Sequence, residues 1–176
     1  MADGMRTIFT TEDIDRRLGE LAGEIIAGLG KQFTMVPILT GGFIFAADLA
    51  RALTRAGADP EIDFIQLSSY GTGRVSSGEI QLVKDVTAPV EGQTVLLVDD
   101  VLDSGKSVSF ARDLFTARGA ARIMTCVAVD KTSIKGRDVK AEFRLFDMPD
   151  NAFLVGYGMD DAGSLRGLPT ISALND

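Results

Sequence analysis

Apolar positions recur along the chain on two different periods. Ile14, Leu18, Leu21 and Ile25 fall on one helical face. Thr10 or Thr11 can cap that helix, with Glu12 and Asp13 in its first turn, and Gly28 to Gly30 ends it. Phe33 to Leu39 is a short apolar run of strand length, closed by the turn Thr40-Gly41-Gly42. Phe43 to Ala56 has helical composition until Gly57 and Pro60 stop it. Glu61 to Leu67 and Glu79 to Lys84 predict two further strands. Thr94 to Val98 predicts a strand whose Val95 to Val98 are apolar without interruption, the pattern of a strand covered on both faces of a parallel sheet. A polar connection, Asp99 to Gly105, precedes a helix over Ser107 to Arg118 that Gly119 closes. Ile123 to Val129 is another buried strand, and Phe153-Leu154-Val155 is a short one after Pro149. The tail then runs through Gly158, Gly163 and Gly167. Strands alternating with helices predict an α/β domain with a mostly parallel central sheet flanked by helices.

One segment breaks the pattern. Residues 68–78 are small, polar and glycine-rich, from Ser68-Ser69-Tyr70-Gly71 to Ser77-Gly78. A long loop inside a compact domain is often a functional lid.

Composition removes whole classes of chemistry. The chain has 176 residues, no histidine, no tryptophan and one cysteine. No Ser-His-Asp or Cys-His unit can form, nor a His-ligated metal site. One cysteine gives no internal disulfide, which suits a reducing compartment and makes the cytoplasm the expected address. The net charge of -7 argues against nucleic acid and anionic membranes as partners. No apolar run reaches the roughly 20 residues of a membrane span, and residues 1–10 carry no secretory signal. The length predicts a single domain over 1–176.

The most informative stretch is Val95 to Ser107: a buried strand, the adjacent carboxylates Asp99 and Asp100, then Asp103-Ser104-Gly105-Lys106-Ser107 entering a helix. Ligands in open α/β sheets bind beyond the carboxyl ends of the strands. A small loop at a helix N-terminus offers free N–H groups to a phosphate. Two acids at a strand end can accept hydrogen bonds from a sugar diol. Gly105-Lys106-Ser107 ends like a P-loop, but that motif needs glycine at position 100, where aspartate stands. On residue type alone, other readings stay open. Asp99 and Asp100 can be solvated loop acids with Asp103 as a helix cap. Lys131 can be a solvated strand-end lysine, Phe153 a core residue, and Thr40-Gly41 a plain turn.

Val98-Asp99-Asp100-Val101-Leu102-Asp103-Ser104-Gly105-Lys106-Ser107 resembles the phosphoribosyl-diphosphate motif of type I phosphoribosyltransferases. Ser69-Tyr70-Gly71 resembles the lid opening of the hypoxanthine-guanine phosphoribosyltransferases. Asp130-Lys131, Phe146 to Asp150 and Phe153 to Asp160 resemble that family's purine-binding end, and Arg166-Gly167-Leu168-Pro169 resembles its closing segment. The resemblance implies a type I phosphoribosyltransferase fold. A small hood would come from the N-terminus and about residues 130–176, and a mobile lid from about 68–79. It implies transfer of 5-phosphoribosyl from its diphosphate to a 6-oxopurine, with Mg²⁺ as cofactor and a homodimer or homotetramer as assembly.

Site roles follow from the same resemblance. Asp99 and Asp100 would hold the ribose hydroxyls and help order Mg²⁺, and Asp160 would be a metal ligand. Asp103, Ser104, Gly105, Lys106 and Ser107 would cradle the 5-phosphate, with Asp103 also the general acid/base. Lys131 would donate to the 6-oxo group, Phe153 would stack on the purine and the Leu154 backbone would read its edge. Thr40, Gly41 and Arg166 would bind diphosphate, and Ser69 and Tyr70 would belong to the lid. Family members often carry a basic residue where Thr40 stands, tyrosine where Asp161 stands and an aromatic where Leu165 stands. Two alternatives remain: an RNA-binding regulator of the pyrimidine-operon kind on the same fold, and a phosphoribosyltransferase for another base.

Overall fold

The computed structural model describes residues 4–69 and 80–174. Ten strands and three helices occur there, in the order β1 (Met5–Phe9), α1 (Thr11–Leu29), β2 (Thr34–Leu39), α2 (Phe43–Arg55), β3 (Glu61–Ile62), β4 (Ile65–Ser69), β5 (Ile80–Lys84), β6 (Thr94–Leu102), α3 (Lys106–Ala117), β7 (Arg122–Lys131), β8 (Phe143–Met148), β9 (Leu154–Val155) and β10 (Ile171–Leu174). The large sheet runs β5-β4-β2-β6-β7-β8, with β3 also pairing β2. All its pairings are parallel except that of the edge strand β5.

The helices form where the apolar period and the end signals agree. Thr10 caps α1 reciprocally: its Oγ1 accepts from the Asp13 N–H at 3.2 Å, and Asp13 Oδ2 accepts from the Thr10 N–H at 3.1 Å. Such a cap contributes ~1 kcal/mol. Helix α1 buries Ile14, Leu18, Leu21, Ala22 and Ile25, while α2 buries Phe45, Ala46, Leu49, Ala52 and Leu53.

Strand β6 explains its own sequence. Leu96 and Val98 join the core under α1 and α2. Val95 and Leu97 point the other way, into a core with Ala111 and Phe115 of α3. A strand with helices on both faces has no polar side to alternate with.

The structure departs from the sequence expectations at several boundaries. The run Glu61 to Leu67 is not one strand, because it breaks at Asp63-Phe64, where the Asp63 side chain turns to the loop after β5. Its carboxylate accepts from the Thr87 N–H and hydroxyl and from the Ala88 N–H. The polar connection expected from Asp99 begins only after Leu102: ladder pairing to β7 continues through Leu102↔Asp130, so both carboxylates lie within β6. Strands β1, β8 and β10 had no distinct apolar run. Two of them join β9 in an antiparallel sheet, β1-β10-β9, that pairs Met5 with Leu174. Phe9 stacks on Phe146 of β8, centroids 3.8 Å apart, and fastens this sheet to the large one. No helix among the described residues is long and apolar enough to cross a membrane.

Candidate active site

Parallel strands β2, β6 and β7 end side by side, and the polar residues gather at their carboxyl ends. A cavity of about 330 Å³ opens there, lined by Gly41, Asp99, Asp100, Arg166 and the whole loop Asp103 to Ser107. That volume is within the usual range of small-molecule sites. A smaller cavity of about 160 Å³ adjoins it, lined by Lys131, Phe153, Leu154 and Met159. Asp100, Val101, Asp103 and Asp160 line both, so the two are lobes of one site.

The larger lobe is built around the start of α3. Gly105, at φ 80°, turns the chain into the helix. Ser104 and Lys106 are exposed and Ser107 is half-buried. No side chain caps α3, so its first N–H groups stay available to an anion.

Asp99 is buried and Asp100 half-buried. Burial, then the neighbouring Asp100 charge, pushes the Asp99 carboxyl well above the usual carboxylate range. Burial raises Asp100 as well, against the pull of the Val101 N–H, the Asp99 side chain and the Arg166 charge. Such a pair is relieved by a cation or by hydroxyl donors.

The turn after β2 presses against this pair. A Cβ at Gly41 would overlap the Asp100 carboxylate, and one at Gly158 would overlap the Gly41 carbonyl. Only glycine permits these two backbone segments and the Asp100 carboxylate to meet so closely. Thr40, joined to Leu39 by a cis peptide, is exposed and does not line either lobe.

Arg166 and Asp160 face each other, Nη2 to Oδ1 at 2.7 Å. Arg166 Nη1 also donates to the Gly158 carbonyl at 2.7 Å, and the Gly163 N–H donates to Asp160 Oδ2 at 2.7 Å. Leu165, preceding Arg166, takes φ 71°. Asp161 and Ser164 exchange backbone hydrogen bonds in the turn between Asp160 and Arg166.

In the smaller lobe Lys131 is buried, and its Nζ donates to Asp103 Oδ2 at 3.0 Å. Phe153 is 52% exposed, so the core alternative fails for it. Leu154 is buried at the start of β9. Ser69 ends β4, paired with Ile80. Tyr70 and the rest of 70–79 lie outside the described residues.

Sequence reasoning missed several neighbours. Asn151 Oδ1 accepts from Lys131 Nζ at 3.3 Å. Met159 and Val101 line the smaller lobe. Tyr157, which donates to Asp48 Oδ2 at 3.0 Å, ties the segment after β9 to α2. Asn151 could have been suspected from its place between Asp150 and Phe153. Val101 and Met159 read as packing residues until the fold aims them.

No three Asp, Glu, His or Cys side chains converge on one point among the described residues. An all-protein metal cage is therefore not built there. Mg²⁺ seldom needs one: it keeps water and takes one or two carboxylates together with substrate phosphate oxygens. Asp99, Asp100 and Asp160, at the rim of an anion-accepting loop, fit that donor set.

The fold sets a cleft around an uncapped helix start beside a small aromatic-edged lobe. A sequence model of the phosphoribosyl transferase domain matches residues 5–162. The hypoxanthine-guanine phosphoribosyltransferase of Aquifex aeolicus is 40% identical over 174 residues, covering 98% of this chain and 96% of that one. The Bacillus subtilis protein of the same name is 37% identical, covering 96% of this chain and 92% of that one. The crystal structure of a Bacillus anthracis hypoxanthine-guanine phosphoribosyltransferase superposes with a TM-score of 0.86 at 33% identity, covering 98% and 99% of the two chains. The chain belongs to the phosphoribosyltransferase family, in its hypoxanthine-guanine branch.

Proposed function

We propose that this enzyme transfers the 5-phosphoribosyl group from phosphoribosyl diphosphate to a ring nitrogen of hypoxanthine or guanine, as a step of purine salvage. IMP or GMP forms and diphosphate leaves. The observation that carries the reading is the Asp103–Lys131 contact at 3.0 Å, which joins an anion-accepting loop to a base-sized lobe. A reaction between a sugar phosphate and a flat base needs that adjacency.

The residues divide the work as follows. N–H groups of Ser104 to Ser107 and the serine hydroxyls hold the 5-phosphate. Asp99 and Asp100 accept from the ribose hydroxyls. Phe153 covers one face of the base, and the Leu154 backbone meets its edge. Lys131 donates to the 6-oxo group. Adenine presents an amino group there, and an unpaired buried donor costs about 1–3 kcal/mol. Asp103 holds the proton of the reacting ring nitrogen. Gly41 N–H and Arg166, freed from Asp160, receive the departing diphosphate; Thr40 contributes through its backbone rather than its exposed side chain. Mg²⁺, held by Asp160, Asp99 and Asp100 with phosphate oxygens, would supply stabilisation of negative charge on the leaving group.

A net charge of -7 weighs against the RNA-binding alternative, which needs a basic surface. Family likeness suggests a homodimer or homotetramer, which sedimentation analysis reads directly, and cytoplasmic residence.

The test is diphosphate release from phosphoribosyl diphosphate and Mg²⁺ with each of hypoxanthine, guanine, xanthine, adenine and uracil. Release with hypoxanthine and guanine, abolished by chelator, is expected; the xanthine arm reads how far the 2-position is policed. No release with any base would favour the regulator. Release with adenine as fast as with hypoxanthine would overturn the role given to Lys131, and full activity in chelator would overturn the metal assignment.

A further inference from the structure

Arg137 lies in the connection between β7 and β8, and none of the roles above uses it. Its side chain is only 12% exposed. Nη1 donates to the Leu102 carbonyl at 2.9 Å. Nη2 stands 2.8 Å from Asp130 Oδ1, off the hydrogen-bonding direction, so that buried oxygen is left with charge contact alone. Leu102 and Asp130 are register partners across β6 and β7. One guanidinium therefore spans a rung at the carboxyl end of that ladder. Each end of the rung directly precedes a site residue: Leu102 precedes Asp103, and Asp130 precedes Lys131. The same segment closes the underside of the loop. A Cβ at Gly105 would lie 2.6 Å from Val139 Cγ2 and 3.8 Å from Arg137 Cδ.

We propose that Arg137 is a positioning residue for phosphoribosyl diphosphate. It holds the carbonyl from which the loop Asp103 to Ser107 departs, and so aims the loop's N–H groups at the 5-phosphate. The proposal rests on the reading of that loop as the phosphate cradle. A planar, permanently charged fork suits a task that needs two fixed directions at once. The competing role is structural only, with Arg137 present to balance the buried Asp130 charge.

Double substitution separates the two. Arg137→Met alone strands Asp130 and lowers Tm. Arg137→Met with Asp130→Asn removes the stranded charge and brings Tm back towards the wild type. Loss of the aiming bond still raises KM for phosphoribosyl diphosphate by about ten-fold or more, given the usual worth of a charged hydrogen bond. KM for the purine stays within about two-fold, because Lys131 and Phe153 remain. Asp130→Asn alone keeps the Leu102 bond and a near-normal KM for phosphoribosyl diphosphate. Arg137→Lys keeps a cation beside Asp130 but cannot span both partners. It gives the same direction of change in a charge-balanced protein should the double variant fold poorly.

A wild-type KM for phosphoribosyl diphosphate in the double variant or in Arg137→Lys overturns the proposal, as does an equal rise in Asp130→Asn. If the wild-type protein transfers to no base, the functional reading fails instead. Calorimetric binding of ribose 5-phosphate then still reads the loop. Weaker binding in the charge-balanced variants upholds the proposal, and unchanged binding refutes it.

Discussion

Replacing Lys131 by methionine should uncouple base recognition from stability. The lysine side chain is 7% exposed, whereas its partner Asp103 is 52% exposed. An ion pair with one member in water is worth only about 0–1 kcal/mol, so its loss should move Tm little. Methionine also fills a similar volume along an apolar stem, which limits any cavity. The effect on the base is larger. A hydrogen bond from a charged donor contributes about 1.5–3 kcal/mol, and about 1.4 kcal/mol is a factor of ten. The kcat/KM for hypoxanthine should therefore fall by about ten- to one-hundred-fold. Adenine makes no such bond, so its kcat/KM should fall less or rise, and the preference for hypoxanthine should shrink. Thermal melts, GMP titration and steady-state rates with the two bases measure all three quantities. An unchanged kcat/KM for hypoxanthine, or equal losses for hypoxanthine and adenine, would refute the assignment.

Other substitutions test the remaining parts. Asp103→Asn should reduce turnover by about 10²–10⁴-fold, the usual worth of a general acid/base, while GMP still binds; wild-type turnover would remove Asp103 from that role. Gly41→Ala should force the turn after β2, the proposed diphosphate contact, off Asp100. An overpacked contact costs about 1–3 kcal/mol, so KM for phosphoribosyl diphosphate should rise by about ten-fold, and an unchanged KM would show the turn to be uninvolved. Asp63 sets an acid limit on stability. Burial pushes its carboxyl up, but the N–H groups of Thr87, Phe64 and Ala88 and the Thr87 hydroxyl outweigh this and hold it at about 2. Its folded pKa lies below the unfolded value, so its contribution is complete above about pH 4 and is lost as pH falls towards 2. Asp63→Asn should flatten that part of the stability–pH curve, and an unaltered slope would contradict the assignment.

Legibility differed sharply between elements, for physical reasons. Helix α1 carried its own instructions: a cap at Thr10, acids in the first turn and a five-residue buried face. Strand β6 was legible because burial on both faces demands an apolar run. Strand β8 was not, since Arg144 and Asp147 interrupt its apolar positions. Strands β1 and β10 draw their pairing from residues more than 160 positions apart, which no local window contains. Within the site, the loop Asp103 to Ser107 is contiguous and visible. Arg137 stands among polar residues in an irregular connection, and nothing in its neighbourhood marks it.

What the sequence by itself determined was the family and the contiguous loop on which the proposed chemistry rests. Chemistry that depends on a strand end running into a helix N-terminus is written contiguously, as Val98 to Ser107. The absence of histidine likewise limited which group could handle a proton. What only the tertiary structure decided was who meets whom. Asp103 lies 3.0 Å from Lys131, Gly41 lies wedged between Asp100 and Gly158, and Arg137 clasps Leu102 beside Asp130. These are contacts between segments far apart in the chain, created by packing β2, β6 and β7 in parallel. Local propensities act over a few residues, whereas the electrostatics and close approach that define this site act through space.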